Sequence, residues 1–210
     1  MQDELNNLII KNYELSKYIE ELASKIEVND DDKKNMLLIG FFNNARMHFY
    51  SMNLLIEKRL YNSAFALLRV LFENIIKARY VYIFFDGAKI EKMYGKDDWD
   101  SIFKKELNLG DMCKAIDTKI GKNFYETIKN NAYKKMNDFT HTGACQIVSN
   151  FNVTDGLIEP SFGEELIKDA LRGNFELMKT FSLFSLEILG LNDGHITEDE
   201  MDNLLSKTIA

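Results

Sequence analysis

Proline is nearly missing from this chain. Pro160 is the single one in 210 residues, where ordinary usage of roughly 5% would place about ten. Proline removes a backbone donor and clashes with the preceding turn, so a stretch of this length without it admits long, unbroken helices. Cysteine is almost as scarce. Cys113 and Cys145 cannot make a disulfide framework, and both read as small buried hydrophobes. There is no CxxC pair and the three histidines are scattered, so neither a zinc site nor any other metal or cofactor is expected. No apolar run approaches the roughly 18 residues that span a bilayer; YVYIFF and FSLFSLEILG are too short or interrupted. The first residues, MQDELNNLII, lack the basic start and apolar core of a signal peptide. A cytoplasmic protein without a membrane partner is the expectation.

Positive charge is also in short supply. The net charge is −7 and the pI about 5.1, which argues against a generic basic coat for nucleic acid and against DNA as a partner. Arginine is the rarer base, present only as Arg46, Arg59, Arg69, Arg79 and Arg172. The glycine-rich phosphate loops and the GxSxG nucleophile motif are absent. NDGHITEDE resembles half of a calcium loop, but the register that seats its glycine puts Leu189 and Leu191 where oxygen ligands belong.

What remains is a core-forming composition, 46% hydrophobic and 12% aromatic, with apolar residues at helical spacing. Residues 3–27 form one amphipathic helix. The turn at 28–34 offers Asn29 or Asp30 as the cap of a second helix, running to about Arg59. A third occupies 61–87, capped by Asn62 or Ser63, apolar nearly all round and stopped by Gly87; it is the expected central helix. Shorter helices broken at Gly95 and Gly110 fill 88–120, and 123–139 is helical again. Asp155–Gly156 and Pro160 mark a loop or short hairpin near 150–165. A long helix covers 163–189, and Thr197 with Glu200 forms a capping box for a last short helix. The fold class is all-α: one antiparallel helical bundle over 1–210, with its core at about 35–190 and segments 3–27 and 197–208 as additions.

Two polar constellations stand out. In ALLRVLFENII, Arg69 and Glu73 lie four apart, on one face of an otherwise apolar helix. Charges there are costly unless they pair or serve a site. They read either as an ion pair that sets helix register or as the wall of a pocket for a phosphate, for which guanidinium is the preferred donor. In YKKMNDFTHTG, His141 closes a dense polar cluster with a side chain suited to proton transfer near neutrality. Asn137, Thr140 and Thr142 are placed to orient it or bind a ligand, and Lys135 to hold an anion. The alternative is a helix-end histidine answering the helix dipole. His48 reads as a partly buried core residue, and the Met and Phe stripes of 41–52 as core.

Together, AFALLRVLFE and MNDFTHTG resemble members of the HEPN superfamily (higher eukaryote and prokaryote nucleotide-binding), including abortive-infection-type proteins. The likeness extends over about 35–190 as a pattern of helices. It implies a four-helix core, a homodimer, an operon partner protein in toxin–antitoxin or phage-defence systems, and RNA or nucleotide as ligand. Many HEPN proteins are metal-independent ribonucleases with an Arg-x4–6-His motif; others bind without catalysis. The resemblance therefore implies His141 as the catalytic acid or base, with Lys135 or Arg69 for phosphate charge and Glu73, Asn137, Thr140 and Thr142 for substrate. This chain has no arginine at the motif position. Lys135 stands there instead, as Lys-x5-His, and Arg69 is the alternative guanidinium from another helix.

Overall fold

The structure, a computed structural model, describes residues 2–27, 29, 31–94, 108–141, 152–154, 157–159 and 162–188. Eight helices are found among them: α1 (Gln2–Ala23), α2 (Lys33–Glu57), α3 (Tyr61–Phe84), α4 (Gly87–Tyr94), α5 (Leu109–Ile120), α6 (Tyr125–Asn131), α7 (Tyr133–Thr140) and α8 (Glu164–Ile188). Where a loop or short hairpin is expected before the last helix, a hairpin is present. Strand β1 (Asn152–Thr154) pairs antiparallel with β2 (Leu157–Glu159), Val153 opposite Ile158.

Helix α3 is the centre, as its near-continuous apolar sequence predicts. It packs most extensively against α2, then against α7, α5 and α8, while α1 lies across α8 and α2. The α2 contribution is a regular inner stripe, Leu38, Phe42, Ala45, Phe49, Met52 and Ile56, in alternating steps of four and three that keep one helix side inward. The same core takes in Leu15 and Ile19 of α1, Phe72 and Ile76 of α3, and Leu171 and Phe181 of α8.

Several boundaries differ from expectation. Helix α1 ends at Ala23 rather than near residue 27. The α2 cap is Asp32, whose carboxylate accepts from the Asn35 amide at 3.0 Å. Asn29 turns inward on its own loop and accepts from the Asp31 amide at 3.0 Å, while Asp30 lies outside the described residues. Of the described capping candidates, only Asp32 reaches the third helical amide. Neither Asn62 nor Ser63 caps α3, which starts from Leu60 without a side-chain cap. The α2–α3 turn is too short for one. Arg59 adopts φ 58°, and the Leu60 amide reaches back to the Leu55 carbonyl at 2.8 Å.

Gly87 does not stop α3. The helix ends at Phe84 and Phe85 is extended. Gly87 opens α4, and the Asp86 carboxylate accepts from the Lys89 amide at 2.9 Å. Gly110 likewise sits within the first turn of α5, because the Asn108 side chain caps the helix ahead of it. Helix 123–139 is two helices meeting at Ala132. Buried Asp117 of α5 accepts from the Tyr125 and Glu126 amides at 3.2 and 2.8 Å, doing for α6 what its own cap residue Phe124 cannot. The expected break at Gly95 and the capping box at Thr197 lie outside the described residues.

Candidate functional site

The central helix and a short helix 60 residues further on place their polar residues against each other. Arg69 and Glu73 project from α3. Tyr133 and His141 belong to the start and the C-cap of α7, which is held down by buried Met136 and Phe139; Phe139 meets Phe65 of α3 edge-on at 5.0 Å. Arg69 Nε donates to Glu73 Oε1 at 2.7 Å and to Tyr133 Oη at 3.2 Å. Tyr133 Oη donates to the same Glu73 oxygen at 2.6 Å. Arg69 Nη1 lies 2.6 Å from His141 Nε2. A guanidinium has donors and no acceptor, so Nε2 is the acceptor. A hydrogen bond here uses the tautomer that carries its proton on Nδ1.

The inner part of the cluster is half-buried, with 18% of the Arg69 side chain and 25% of the Glu73 side chain exposed, while His141 is exposed. Burial works against the Arg69 charge, but the bonds to Glu73 and Tyr133 outweigh it and raise its pKa. Burial, then the Glu73 bond, pushes the Tyr133 phenol up. Both groups thus keep their protons throughout the neutral range. Chemically this is a preset guanidinium, fixed on one edge by a carboxylate and a phenol and held against the His141 imidazole.

Of the residues expected from sequence, Arg69, Glu73 and His141 come together. Asn137 is one turn before His141 on the same face. Its carbonyl accepts the His141 amide at 3.1 Å, and its buried Oδ1 has no partner among the described residues. The Thr140 hydroxyl donates to the Met136 carbonyl at 3.0 Å, within its own helix. Thr142 lies outside the described residues. Lys135 is not part of the cluster. Two residues from Tyr133 place it about 200° round the helix, where it lines a separate cavity of about 200 Å³ with Met136 and Asp169. Tyr133 was not singled out, although Tyr133, Asn137 and His141 recur every four residues, the spacing of one helical face.

The other arginines are accounted for elsewhere. Arg46 pairs with Glu20, and Arg172 with Glu4 and Asp169. Arg79 lies over the Phe184 ring at 4.1 Å, and Arg59 forms the α2–α3 turn. His48 is half-buried, its pKa lowered by burial. The Cys113 thiol is pushed up to about 12, chiefly by burial, so it is no nucleophile at neutral pH; Cys145 lies outside the described residues. A groove of about 750 Å³ runs beside the cluster between α2 and α3, bordered by Glu73 and Lys77, Asn44 and Met47, and Tyr94 of α4. Glu73 borders both features. No helix among the described residues is long and apolar enough to cross a membrane.

No curated protein and no solved structure matches the chain. A family profile does, over residues 42–192, well over half of the sequence and all four residues of the cluster. The chain belongs to this family of unknown function, DUF6988.

Proposed function

We propose that this protein is a HEPN-like, metal-independent endoribonuclease of a bacterial defence or toxin–antitoxin system. The observation that carries the reading is the contact of Arg69 Nη1 with His141 Nε2 at 2.6 Å. It puts an anion-binding guanidinium beside a proton acceptor without help from Lys135. An RNA phosphate entering the site draws Arg69 to its oxygens, a stronger acceptor than imidazole. That releases the Nε2 lone pair. His141 then takes the proton of a ribose 2′-hydroxyl as its oxygen attacks the adjacent phosphorus, and Arg69 stabilises the charge gathering on the phosphoryl oxygens. The bond to the 5′ oxygen breaks, and the proton passes to that oxygen. The products are a 2′,3′-cyclic phosphate and a 5′-hydroxyl. Glu73 and Tyr133 act as positioning residues by holding Arg69 Nε.

The test is purified protein with total RNA in EDTA. Cleavage leaving cyclic phosphate ends, lost in His141→Ala, is the expected result. Absence of cleavage, or cleavage indifferent to that substitution, overturns the reading.

A second reading is a non-catalytic module that holds a nucleotide or RNA, or docks an operon partner protein. The net charge of −7 favours it, because broad RNA binding draws on many phosphate contacts to cations. It expects a gel-filtration shift with the product of a neighbouring gene and no ribonuclease activity.

A further inference from the structure

Helix α2 carries a second stripe. Two residues before each inner position, about 200° round the helix, come Met36, Gly40, Asn43, Met47, Tyr50 and Leu54, in the same alternating steps of four and three and all exposed. The large ones are open to solvent by 37% (Met36), 55% (Met47), 44% (Tyr50) and 39% (Leu54). One further step at either end reaches Lys33 and Glu57. A 3–4 repeat of this kind is the pattern of a helix packed on that side. On the inner side α1, α3 and α8 supply the partners; the outer side stays largely exposed among the described residues, with Tyr13 of α1 edge-on to Tyr50 at 6.4 Å.

The outer stripe is complementary to itself. An antiparallel α2 from a second copy, related by a two-fold axis near Ala45, sets Met36 against Leu54 of the partner subunit. It also sets Gly40 against Tyr50 of the partner subunit, and Asn43 against Met47 of the partner subunit. At the ends, Lys33 meets Glu57 of the partner subunit. A parallel pairing would instead set lysine on lysine and glutamate on glutamate. Lys33 and Glu57 are both accessible for such a contact, with 41% and 43% of their side chains exposed beside their present partners, Glu91 for Lys33 and Lys58 and Tyr13 for Glu57. Gly40 supplies an independent sign. A glycine within a helix weakens it relative to alanine, and nothing lies within 4 Å of the place its Cβ would take. No contact among the described residues requires it, whereas a tyrosine ring arriving from outside needs that notch.

We propose that the outer face of α2 is a self-association surface, on which a second copy of this chain docks its own α2 antiparallel. This does not depend on the ribonuclease reading. The docked helix covers the groove between α2 and α3, which Met36, Gly40, Asn43 and Met47 line from the α2 side. The stripe is about 27 Å long and about 10 Å wide. That is less than the roughly 800 Å² per partner of stable complexes, so the dimer is a weak, reversible one.

Sedimentation velocity over a concentration series tests it. The unmodified protein is expected to show a monomer–dimer equilibrium, and Met47→Glu to weaken it at least tenfold with an unchanged helical circular dichroism spectrum. Lys33→Glu alone weakens the dimer by like-charge repulsion, and adding Glu57→Lys restores it. A protein that stays monomeric to its solubility limit overturns the proposal, as does a dimer that Met47→Glu leaves intact. A dimer that the charge exchange fails to restore overturns the antiparallel register.

Discussion

Arg69 and His141, 72 positions apart in the chain, meet at 2.6 Å between Nη1 and Nε2. The same guanidinium is fixed on its other edge by Glu73 and Tyr133, so it faces the histidine in a set orientation.

That arrangement predicts an ordered series of variants. Tyr133→Phe keeps the ring beside Phe72 and removes one hydroxyl, so it costs about 1 kcal/mol in urea unfolding. Arg69→Lys keeps a charge but loses the planar fork that reaches Glu73 and His141 together. Its stability changes by no more than about 1 kcal/mol, since the pair is partly exposed. Its RNA cleavage in the EDTA assay is expected to fall at least tenfold, which separates the two roles.

A second prediction concerns the buried junction of α1, α2 and α8. Asn174 donates to Asn53 Oδ1 at 3.0 Å and to Asn12 Oδ1 at 3.3 Å, and all three side chains are essentially inaccessible. Asn174→Ala removes the shared donor, strands two carbonyl oxygens and opens a small cavity. The expected loss is about 2–4 kcal/mol in urea unfolding. A loss under 1 kcal/mol would show that the triad does not hold the junction.

The N-terminal helix is latched by charge. Lys168, 1% exposed, contacts Glu4, Glu164 and Glu165, and Arg172 also holds Glu4. Hydrogen bonds from Lys168, then Arg172, pull the Glu4 pKa below its ordinary value of 4.5. A lowered native pKa contributes stability that is complete above 4.5 and is lost as pH falls through the native value. Protection of the α1 amides, taken relative to the intrinsic exchange rate at each pH, is therefore expected to fall below about pH 4.5 before the core opens. Glu4→Gln should show the faster exchange already at neutral pH.

Alkali acts on a buried phenol elsewhere in the fold. Burial raises the Tyr125 phenol from 10.0 to about 12, so the unfolded chain ionises first. That stability is complete below pH 10 and is lost as pH rises towards 12. A rise of two units corresponds to roughly 2–3 kcal/mol. Thermal unfolding followed from pH 9 to 12 should show the melting temperature falling, and falling less in Tyr125→Phe.

Arg59 holds φ 58° in the α2–α3 turn, a region that costs a side-chain-bearing residue about 1–2 kcal/mol. Arg59→Gly should raise the melting temperature, provided the short turn is preserved. A fall would mean that the arginine side chain contributes more than its backbone costs.

The sequence by itself determined the helical class. With Pro160 alone in the chain and apolar residues at 3–4 spacing, the long helices could be placed to within a few residues, and α3 could be recognised as central from its apolar circumference. The hairpin was legible because Asp155–Gly156 is a local turn signal. Local signals failed where several competed, as at Asn29, Asp30 and Asp32, or where a distant group took over, as Asp117 does for α6. Arg69 and Glu73 were visible as charges in an apolar helix and His141 as the end of a dense polar cluster, yet their meeting was not, because periodicity describes one helix at a time. Lys135 and Tyr133 show the cost: spacing along α7 brought Lys135 into the reckoning, while the packing of α7 on α3 turned it away and turned Tyr133 in. Which faces meet is settled by the fit of side chains such as Phe65 and Phe139 between helices, and only the tertiary structure carries that information.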